Sequence, residues 1–227
     1  MCKFYDGGMT DTPVRATRRD AAQNREQLIS TAMEVLRDNP AASLDEIARR
    51  AGLSRRGLYG HFRSREELMR VVIQRGATRI ADHVGHIDDS DPLLAIALIA
   101  ARIWDQIAAI RVNAALALQD PYRGDVATTL EPLRAQLRAI IDTGIRSGRL
   151  PDDLPADTVA VLVESTALGV LDSVARDRVP ADEALPLIVL SGLGAAGLSR
   201  PDAQIVFERF RAVHGQAPTV SSNGELA

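Results

Sequence analysis

In the segment from Ser43 to Leu68, two very short stretches of helical pattern are separated by a glycine, Gly52. A serine stands where each stretch begins, at Ser43 and Ser54, and Ser64 stands where a longer helical pattern follows. Serine is a preferred N-cap because its hydroxyl accepts a hydrogen bond from a backbone N–H of the first turn. The segment therefore predicts two short capped helices that are joined by a tight turn.

The spacing within this segment is typical of a helix-turn-helix. With Leu44 as the first residue, the fifth is Ala48 and the ninth is Gly52, and the fifteenth is Leu58. The fifth residue must be small because the second helix crosses close above it, and the ninth takes a positive φ that glycine adopts without a Cβ penalty. The fifteenth is buried and locks the two helices together. An ordinary helical hairpin is the alternative.

The second short helix, predicted over 54–60, would be the recognition helix that lies in the major groove of DNA. Arg55 and Arg56 stand at its start, and arginine pairs with guanine in bidentate fashion, which contributes about 1–3 kcal/mol of discrimination. Leu58 and Phe62 are expected to face the core. Any one of the polar residues could instead be an ordinary solvated side chain. The predicted DNA-contacting residues are Ser43, Ser54, Arg55, Arg56, Gly57, Tyr59, His61 and Arg65.

Charge is divided unevenly along the chain. Between Pro13 and Arg79 there are 14 Lys and Arg residues against 8 Asp and Glu, whereas the residues after Arg79 carry 12 against 20. A basic N-terminal part followed by an acidic remainder favours an N-terminal segment that binds a polyanion. A chance uneven distribution of charge is the alternative. The N-terminal leader contributes Arg15, Arg18 and Arg19. As a flexible arm it could enter a minor groove, or it could be a disordered solubilising segment.

Helical periodicity dominates the whole chain, and no strand alternation or hairpin signature is found, so the sequence predicts an all-α protein. The predicted domains are a flexible basic leader (1–17), a three-helix domain with the helix-turn-helix (18–66), a helical bundle for ligand binding and dimerisation (67–214) and a disordered tail (215–227). The predicted helices cover about 20–38, 43–50, 54–60, 64–88, 92–119 (as two helices), 125–147, 157–178 and 180–198, with a short helix after 201.

Two predicted helices near the C-terminus, about 157–178 and 181–198, are apolar nearly all round. Small residues such as Gly169 and Gly192 would let another helix approach them closely. A helix that is apolar on every face is buried, which in a short domain indicates a partner chain. We therefore expect a homodimer through these helices, with a monomer core as the alternative.

A ligand site is expected around Trp104, the single tryptophan, which stands among apolar residues with Arg102 and Asn113 nearby in sequence. Apolar and aromatic walls with a few polar groups are typical of small-molecule sites, although a lone tryptophan is more often part of a core. His83 and His86 could share a helix face, but two histidines without a third clear ligand favour a solvent-facing pair. The sequence predicts no metal site and no cofactor.

The stretch "SLDEIARRAGLSRRGLYGHFRSREEL", preceded by "REQLISTAMEVL", resembles the N-terminal domain of the tetracycline-repressor (TetR) family of bacterial regulators over about 20–70. The resemblance implies a homodimer with a three-helix DNA-binding domain and a larger ligand-binding domain, whose effector releases the operator. Gly57 departs from the family pattern because threonine is frequent there, which removes one expected contact. Gly60 and Pro40 also depart from it, so the operator sequence is not implied.

The sequence as a whole predicts a sequence-specific regulator, a repressor of a palindromic operator in double-stranded DNA that an unknown small-molecule effector releases. The alternative is a helix-turn-helix protein without an effector, acting as a constitutive repressor, an activator or an architectural protein. We expect no enzyme, because no catalytic signature is found. The single cysteine, Cys2, fits a reducing cytoplasm, and the longest uncharged run, 184–199, is too short to span a bilayer.

Overall fold

The computed structural model describes residues 13–39, 41–107, 117 and 120–214. Within these ranges the chain is helical without strands, which confirms the predicted all-α class. The helices are α1 (Pro13–Asp38), α2 (Leu44–Arg50), α3 (Arg55–His61), α4 (Arg65–Val84), α5 (Pro92–Ile107), α6 (Arg123–Thr129), α7 (Glu131–Arg146), α8 (Ala156–Ala175), α9 (Ala181–Ala195) and α10 (Arg200–His214).

The chain divides into two compact units, Met1–Val72 and Ile73–Ala227, called here the N-terminal unit and the C-terminal unit. The boundary falls inside α4. The sequence-based division after residue 66 falls in the first turn of the same helix.

In the N-terminal unit, α2 packs against both α1 and α3. The buried residues of α1 follow the helical period and are Leu28, Ile29, Ala32, Val35 and Leu36. Helix α1 begins at Pro13 instead of Asp20, so residues 13–17, which were expected to belong to a flexible leader, are helical. Proline suits the first helical position because its φ is already helical and its missing N–H has no intrahelical partner there. Residues 1–12 and the predicted tail, 215–227, lie outside the described residues.

In the C-terminal unit, α9 packs against α5, α8 and α10, and α7 packs against α5 and α8. Asp91 caps α5, because its carboxylate accepts from the backbone N–H of Leu93 at 3.0 Å. The same carboxylate forms ion pairs with Arg149 at 3.0 Å and with Arg209 at 3.1 Å. These contacts join the start of α5 to the end of α7 and to α10.

Three helix boundaries in the C-terminal unit differ from the sequence prediction. The helix expected over 125–147 is divided at Leu130 into α6 and α7, because Pro132 in the first turn of α7 has no N–H and its ring would clash inside a continuous helix. Helix α4 ends at Val84, before Gly85 with φ +56°. The helix after residue 199 is not short, since α10 extends to His214. The second helix predicted between 92 and 119 lies mostly outside the described residues.

Helix α8 is long and apolar enough to cross a membrane by length and composition, and among the described helices it alone meets that test. One such helix is weak evidence, because a core helix of a globular protein has the same composition. The inner face of α8 is buried in the C-terminal unit through Val159, Val163, Val170 and Val174. We therefore treat α8 as a core helix.

Candidate nucleic-acid interface and ligand cavity

The turn between α2 and α3 has the geometry that the sequence predicts. Ser43 Oγ accepts a hydrogen bond from the N–H of Glu46 at 3.2 Å, and Ser54 Oγ accepts from the N–H of Gly57 at 3.1 Å. Gly52 has φ +70°, and a Cβ on it would meet no atom within 4 Å. Glycine is therefore required at position 52 for its backbone conformation and not for space.

One face of α3 is buried against the rest of the N-terminal unit. Leu58 and Phe62 are fully buried, which confirms that they face the core. On α2, Ile47 and Ala48 are buried too, and α2 packs against α3. Burial of one side of so short a helix leaves its other side to face solvent. The contacts that hold Leu58 therefore determine which side chains of α3 a nucleic acid would meet.

Arg55 lies on the exposed side of α3 and already has partners within the chain. Its Nε atom is 3.1 Å from a carboxylate oxygen of Asp45, and its guanidinium lies over the ring of Tyr59, 5.7 Å from the centroid. A hydrogen bond with Tyr59, followed by the charge of Asp45, raises the pKa of Arg55 above its usual value. Exposed ion pairs of this kind are weak, so a phosphate or a base can replace the carboxylate.

Arg56 is exposed beside it on the first turn of α3. Among the residues that the structure describes, Arg56 has no hydrogen-bond or ion-pair partner. Tyr59 is also exposed, and His61 is half-buried at the end of the helix. Arg56 thus presents its guanidinium to solvent with no competing carboxylate among the described residues, in contrast to Arg55.

Arg65 at the start of α4 is half-buried, and its Nη1 atom donates to the backbone carbonyl of Ala42. This bond ties α4 to the loop before α2, so Arg65 holds the N-terminal unit together, a role that its sequence position did not indicate. It still lines an open groove with Arg55 and Tyr59. The described residues of that groove are Ala41, Ser43, Leu44, Asp45, Arg55, Tyr59 and Arg65.

The C-terminal unit contains a cavity of about 120 Å³ between α4, α5, α7, α8 and α9. Its described lining is apolar except for Arg134 and Glu164. The apolar lining residues are Ile80, Ile96, Ile99, Ala100, Ile103, Leu130, Leu133, Leu137, Val163, Ala167, Leu168, Leu171, Ile188, Val189 and Gly192. A concave, mostly apolar space with a few polar groups is the usual form of a small-molecule site.

Two of the residues that were expected to line a ligand site, Trp104 and Arg102, are not among the described lining of this cavity. Trp104 is buried in a cluster that includes Leu171 and Ile188, so it lies behind the cavity wall and not on it. The Nη1 atom of Arg102 donates to the backbone carbonyl of Val84 at 2.5 Å, which uses this side chain to hold the end of α4. Asn113 lies outside the described residues.

Sequence reasoning missed the polar pair of the cavity, Arg134 on α7 and Glu164 on α8. The Nε atom of Arg134 lies 2.9 Å from both carboxylate oxygens of Glu164, and its Nη1 donates to the carbonyl of Ala127 at 2.9 Å. Hydrogen bonding with Glu164 raises the pKa of Arg134 above its usual value, so the guanidinium stays charged. A signal for Glu164 existed, because it is a lone charge within the apolar run "TVAVLVESTALGV".

His83 and His86 do not share a helix face, because α4 ends at Val84 and His86 follows it. Both side chains are exposed. In the described part of the chain, no group of three or more His, Cys, Asp and Glu side chains could hold a metal ion.

Comparison with known proteins agrees with this architecture. Residues 28–72 match the model of the family described as bacterial regulatory proteins, tetR family. TtgW of Pseudomonas putida, described as an uncharacterized HTH-type transcriptional regulator, is 38% identical over 61 residues, which are 26% of this chain and 46% of TtgW. The chain thus matches less than half of that relative. TtgR of the same organism, an HTH-type transcriptional regulator, is 24% identical over 168 residues, or 65% of this chain and 78% of TtgR.

Among solved structures, RolR in complex with the ligand resorcinol matches with a TM-score of 0.64 and 16% identity, covering 89% of this chain and 99% of RolR. The capped helix pair with its glycine turn has the geometry of a helix-turn-helix, and an all-α unit follows it. Over this same pair the chain is similar to the TetR family of bacterial regulators, and it shares its fold with RolR.

Proposed function

We propose that this protein is a dimeric, cytoplasmic transcriptional repressor that binds a palindromic DNA operator through α3 and releases it when a small molecule occupies the C-terminal unit. The observation that carries the proposal is the orientation of α3. Its apolar face is buried through Leu58, and its arginines, Arg55 and Arg56, face solvent on the first turn. Residues at the start of a recognition helix are those that reach base edges in the major groove.

The charge of the N-terminal segment supports contact with DNA. It has an excess of basic residues, 14 against 8 between Pro13 and Arg79, although the whole chain has a net charge of −3. Arg55 and Arg56 would read bases, whereas Tyr59, His61 and Arg65 would contact phosphates. Ser43 and Ser54 cap their helices with their hydroxyls, so any phosphate would meet the neighbouring backbone N–H groups instead. Gly57 offers no side chain for such a contact.

The exposed face of α8 supports a homodimer. Val161 and Leu162 are 60% and 42% exposed in the single chain, which is unusual for large apolar residues of a core helix. Gly169 lies two turns from Leu162 on the same face and is exposed, with no atom within 4 Å of a Cβ placed on it. A second copy of α8 could cover these residues, and two half-sites of an operator need two recognition helices related by a two-fold axis.

The cavity of the C-terminal unit supports regulation by a small effector. It is enclosed by apolar side chains from several helices, and a protein of the same fold, RolR, has been solved with the ligand resorcinol. A ligand that binds the cavity shifts the protein toward the conformation that it prefers. For a repressor, that conformation has the lower affinity for DNA.

The test of the proposal is selection of random duplex DNA by the purified protein at two salt concentrations. We expect an enriched palindrome whose half-sites lie one helical turn, about 34–36 Å, apart in successive major grooves. Binding that falls steeply with salt but enriches no motif would contradict the proposal and favour an architectural protein, because only the phosphate interaction would then remain.

The Arg56→Ala variant should lose base preference at one position of each half-site. Because Arg56 is exposed without a partner among the described residues, its removal leaves the fold unchanged and deletes one guanidinium from the recognition surface. We expect affinity for the selected operator to fall by about 1–3 kcal/mol per half-site, while affinity for unrelated DNA changes little. Equal weakening on every sequence, measured by titration of both duplexes, would instead make Arg56 a phosphate contact.

A further inference from the structure

We infer that the cavity selects an uncharged molecule with about the bulk of one aromatic ring and one hydroxyl group, an alcohol or a phenol, and that the Arg134–Glu164 pair binds this hydroxyl. The inference rests on the proposed function, since it names the chemical class of the effector that the cavity accepts. It depends on the size of the cavity, the charge of its wall and the hydrogen bonds that its two polar side chains have left.

The size of the cavity sets the bulk of the ligand. Its volume of about 120 Å³ is close to the roughly 150 Å³ of an engineered apolar cavity that binds benzene. The walls come from isoleucine, leucine, valine and alanine side chains, which favour an apolar body and offer it no hydrogen bonds. A ligand of one ring therefore fits this space.

The charge of the wall sets the charge of the ligand. Arg134 and Glu164 are the only charged residues of the described lining. Their opposite charges neutralise one another, since Arg134 Nε lies 2.9 Å from both carboxylate oxygens of Glu164. Both side chains are more than two-thirds buried. A ligand carboxylate would have to approach the carboxylate of Glu164, and a ligand ammonium would have to approach Arg134. Either charge would enter an apolar space without a counter-charge of its own, which is costly.

The remaining hydrogen-bond capacity of the pair sets the polar group. Arg134 has five N–H donors. Its hydrogen bonds to the described residues use the Nε hydrogen, one Nη1 hydrogen and one Nη2 hydrogen, which leaves two N–H groups. Glu164 has about four lone-pair positions and receives bonds from only two nitrogens of Arg134 in the described structure. The pair thus offers both a donor and an acceptor at one spot. A hydroxyl matches this spot because a single oxygen both donates and accepts.

The test compares phenol, benzene and benzoate on the full-length protein at pH 7, by calorimetry and by the fluorescence of Trp104. Trp104 is a suitable reporter because it is the single tryptophan and packs with two lining residues, Leu171 and Ile188. At this pH a phenol is neutral and a carboxylic acid is ionised. We expect phenol to bind at least about 10-fold more tightly than either of the others, a difference that one good hydrogen bond supplies.

The Glu164→Gln variant should reverse this preference. It keeps the size of the side chain but removes the negative charge, so Arg134 is left with an unmatched positive charge in the wall. We expect benzoate to bind this variant at least about 10-fold more tightly than it binds the wild type, and phenol to bind more weakly. The matched control is Asp172→Asn, because Asp172 on the same helix also pairs with an arginine, Arg176, but lies outside the described lining.

The outcomes separate this inference from the proposed function. Tight binding of benzoate or benzene to the wild type, no binding of any of the three compounds, or an unchanged preference in Glu164→Gln overturns the inference. If benzoate binds the wild type and lowers its affinity for the selected operator, the proposed function still holds. If phenol binds as expected but leaves operator affinity unchanged, the ligand class is correct and regulation by that ligand is wrong.

Discussion

Replacing Leu58 by aspartate should unfold the N-terminal unit and abolish operator binding. Leu58 is fully buried at the crossing of α2 and α3, and loss of a buried leucine alone costs about 2–5 kcal/mol. The aspartate adds the cost of a carboxylate in an apolar site. Small domains have a free energy of unfolding of only about 5–15 kcal/mol. The two costs together therefore approach or exceed the free energy of unfolding of the N-terminal unit. We expect operator affinity to fall by roughly 1,000-fold or more.

The measurement is thermal unfolding followed by circular dichroism, together with titration of the selected operator. The matched control is Leu154→Asp, because Leu154, in the loop before α8, is 41% exposed and an aspartate there can reach solvent. We expect this control to melt and to bind DNA as the wild type does. If Leu58→Asp melts like the wild type, the register of the helix-turn-helix is wrong.

The helix-turn-helix could be predicted from the sequence because its determinants are local. Ser43 and Ser54 accept from N–H groups three residues ahead, and the positive φ of Gly52 depends on that residue's own missing Cβ. Burial of Leu58 was predicted from its spacing after Ala48 and Gly52 within the same short segment. Interactions that lie within a few residues of one another leave a pattern that can be counted along the chain.

The cavity could not be predicted because its determinants are distant in sequence. Arg134 and Glu164 are 30 residues apart on separate helices, and no period relates them. Trp104 was a reasonable candidate by residue type, but only packing decides whether an aromatic ring lies on a cavity wall or behind it. The role of Arg65 was missed for the same reason. Its partner, the carbonyl of Ala42, is separated from it in the sequence by α2 and α3.

The sequence did contain a signal that the helix predicted over 125–147 is divided. Pro132 stands inside that stretch, and a proline in a helix interior removes one hydrogen bond and clashes with the preceding turn. Its consequence reaches the cavity, because Leu130 at the division lines the wall and Arg134 binds the carbonyl of Ala127 at the end of α6. The helix boundary therefore bears on one side of the cavity wall, whereas the partner of Arg134, Glu164, lies 30 residues away.

The Gly169→Arg variant should convert the dimer to a monomer without harming the fold of the chain. A Cβ at Gly169 meets no atom within 4 Å, so the arginine clashes with nothing in its own protomer. Arginine is also a better helix former than glycine by roughly 0.5–1 kcal/mol. In the proposed dimer, however, this face of α8 meets a second copy, and two buried guanidinium groups would hold the helices apart.

Loss of the dimer should lower operator affinity by about 10²–10⁴-fold. In a dimer, binding of the first recognition helix holds the second at a high effective concentration near its half-site, and a monomer has no such second helix. Sedimentation at several protein concentrations measures the oligomeric state, and titration of the operator measures the affinity. The matched control is Gly124→Arg on α6, where a Cβ also meets no atom within 4 Å but the predicted interface is absent. If Gly169→Arg remains a dimer, the interface lies on another surface, and the exposed Val161 and Leu162 require a different partner.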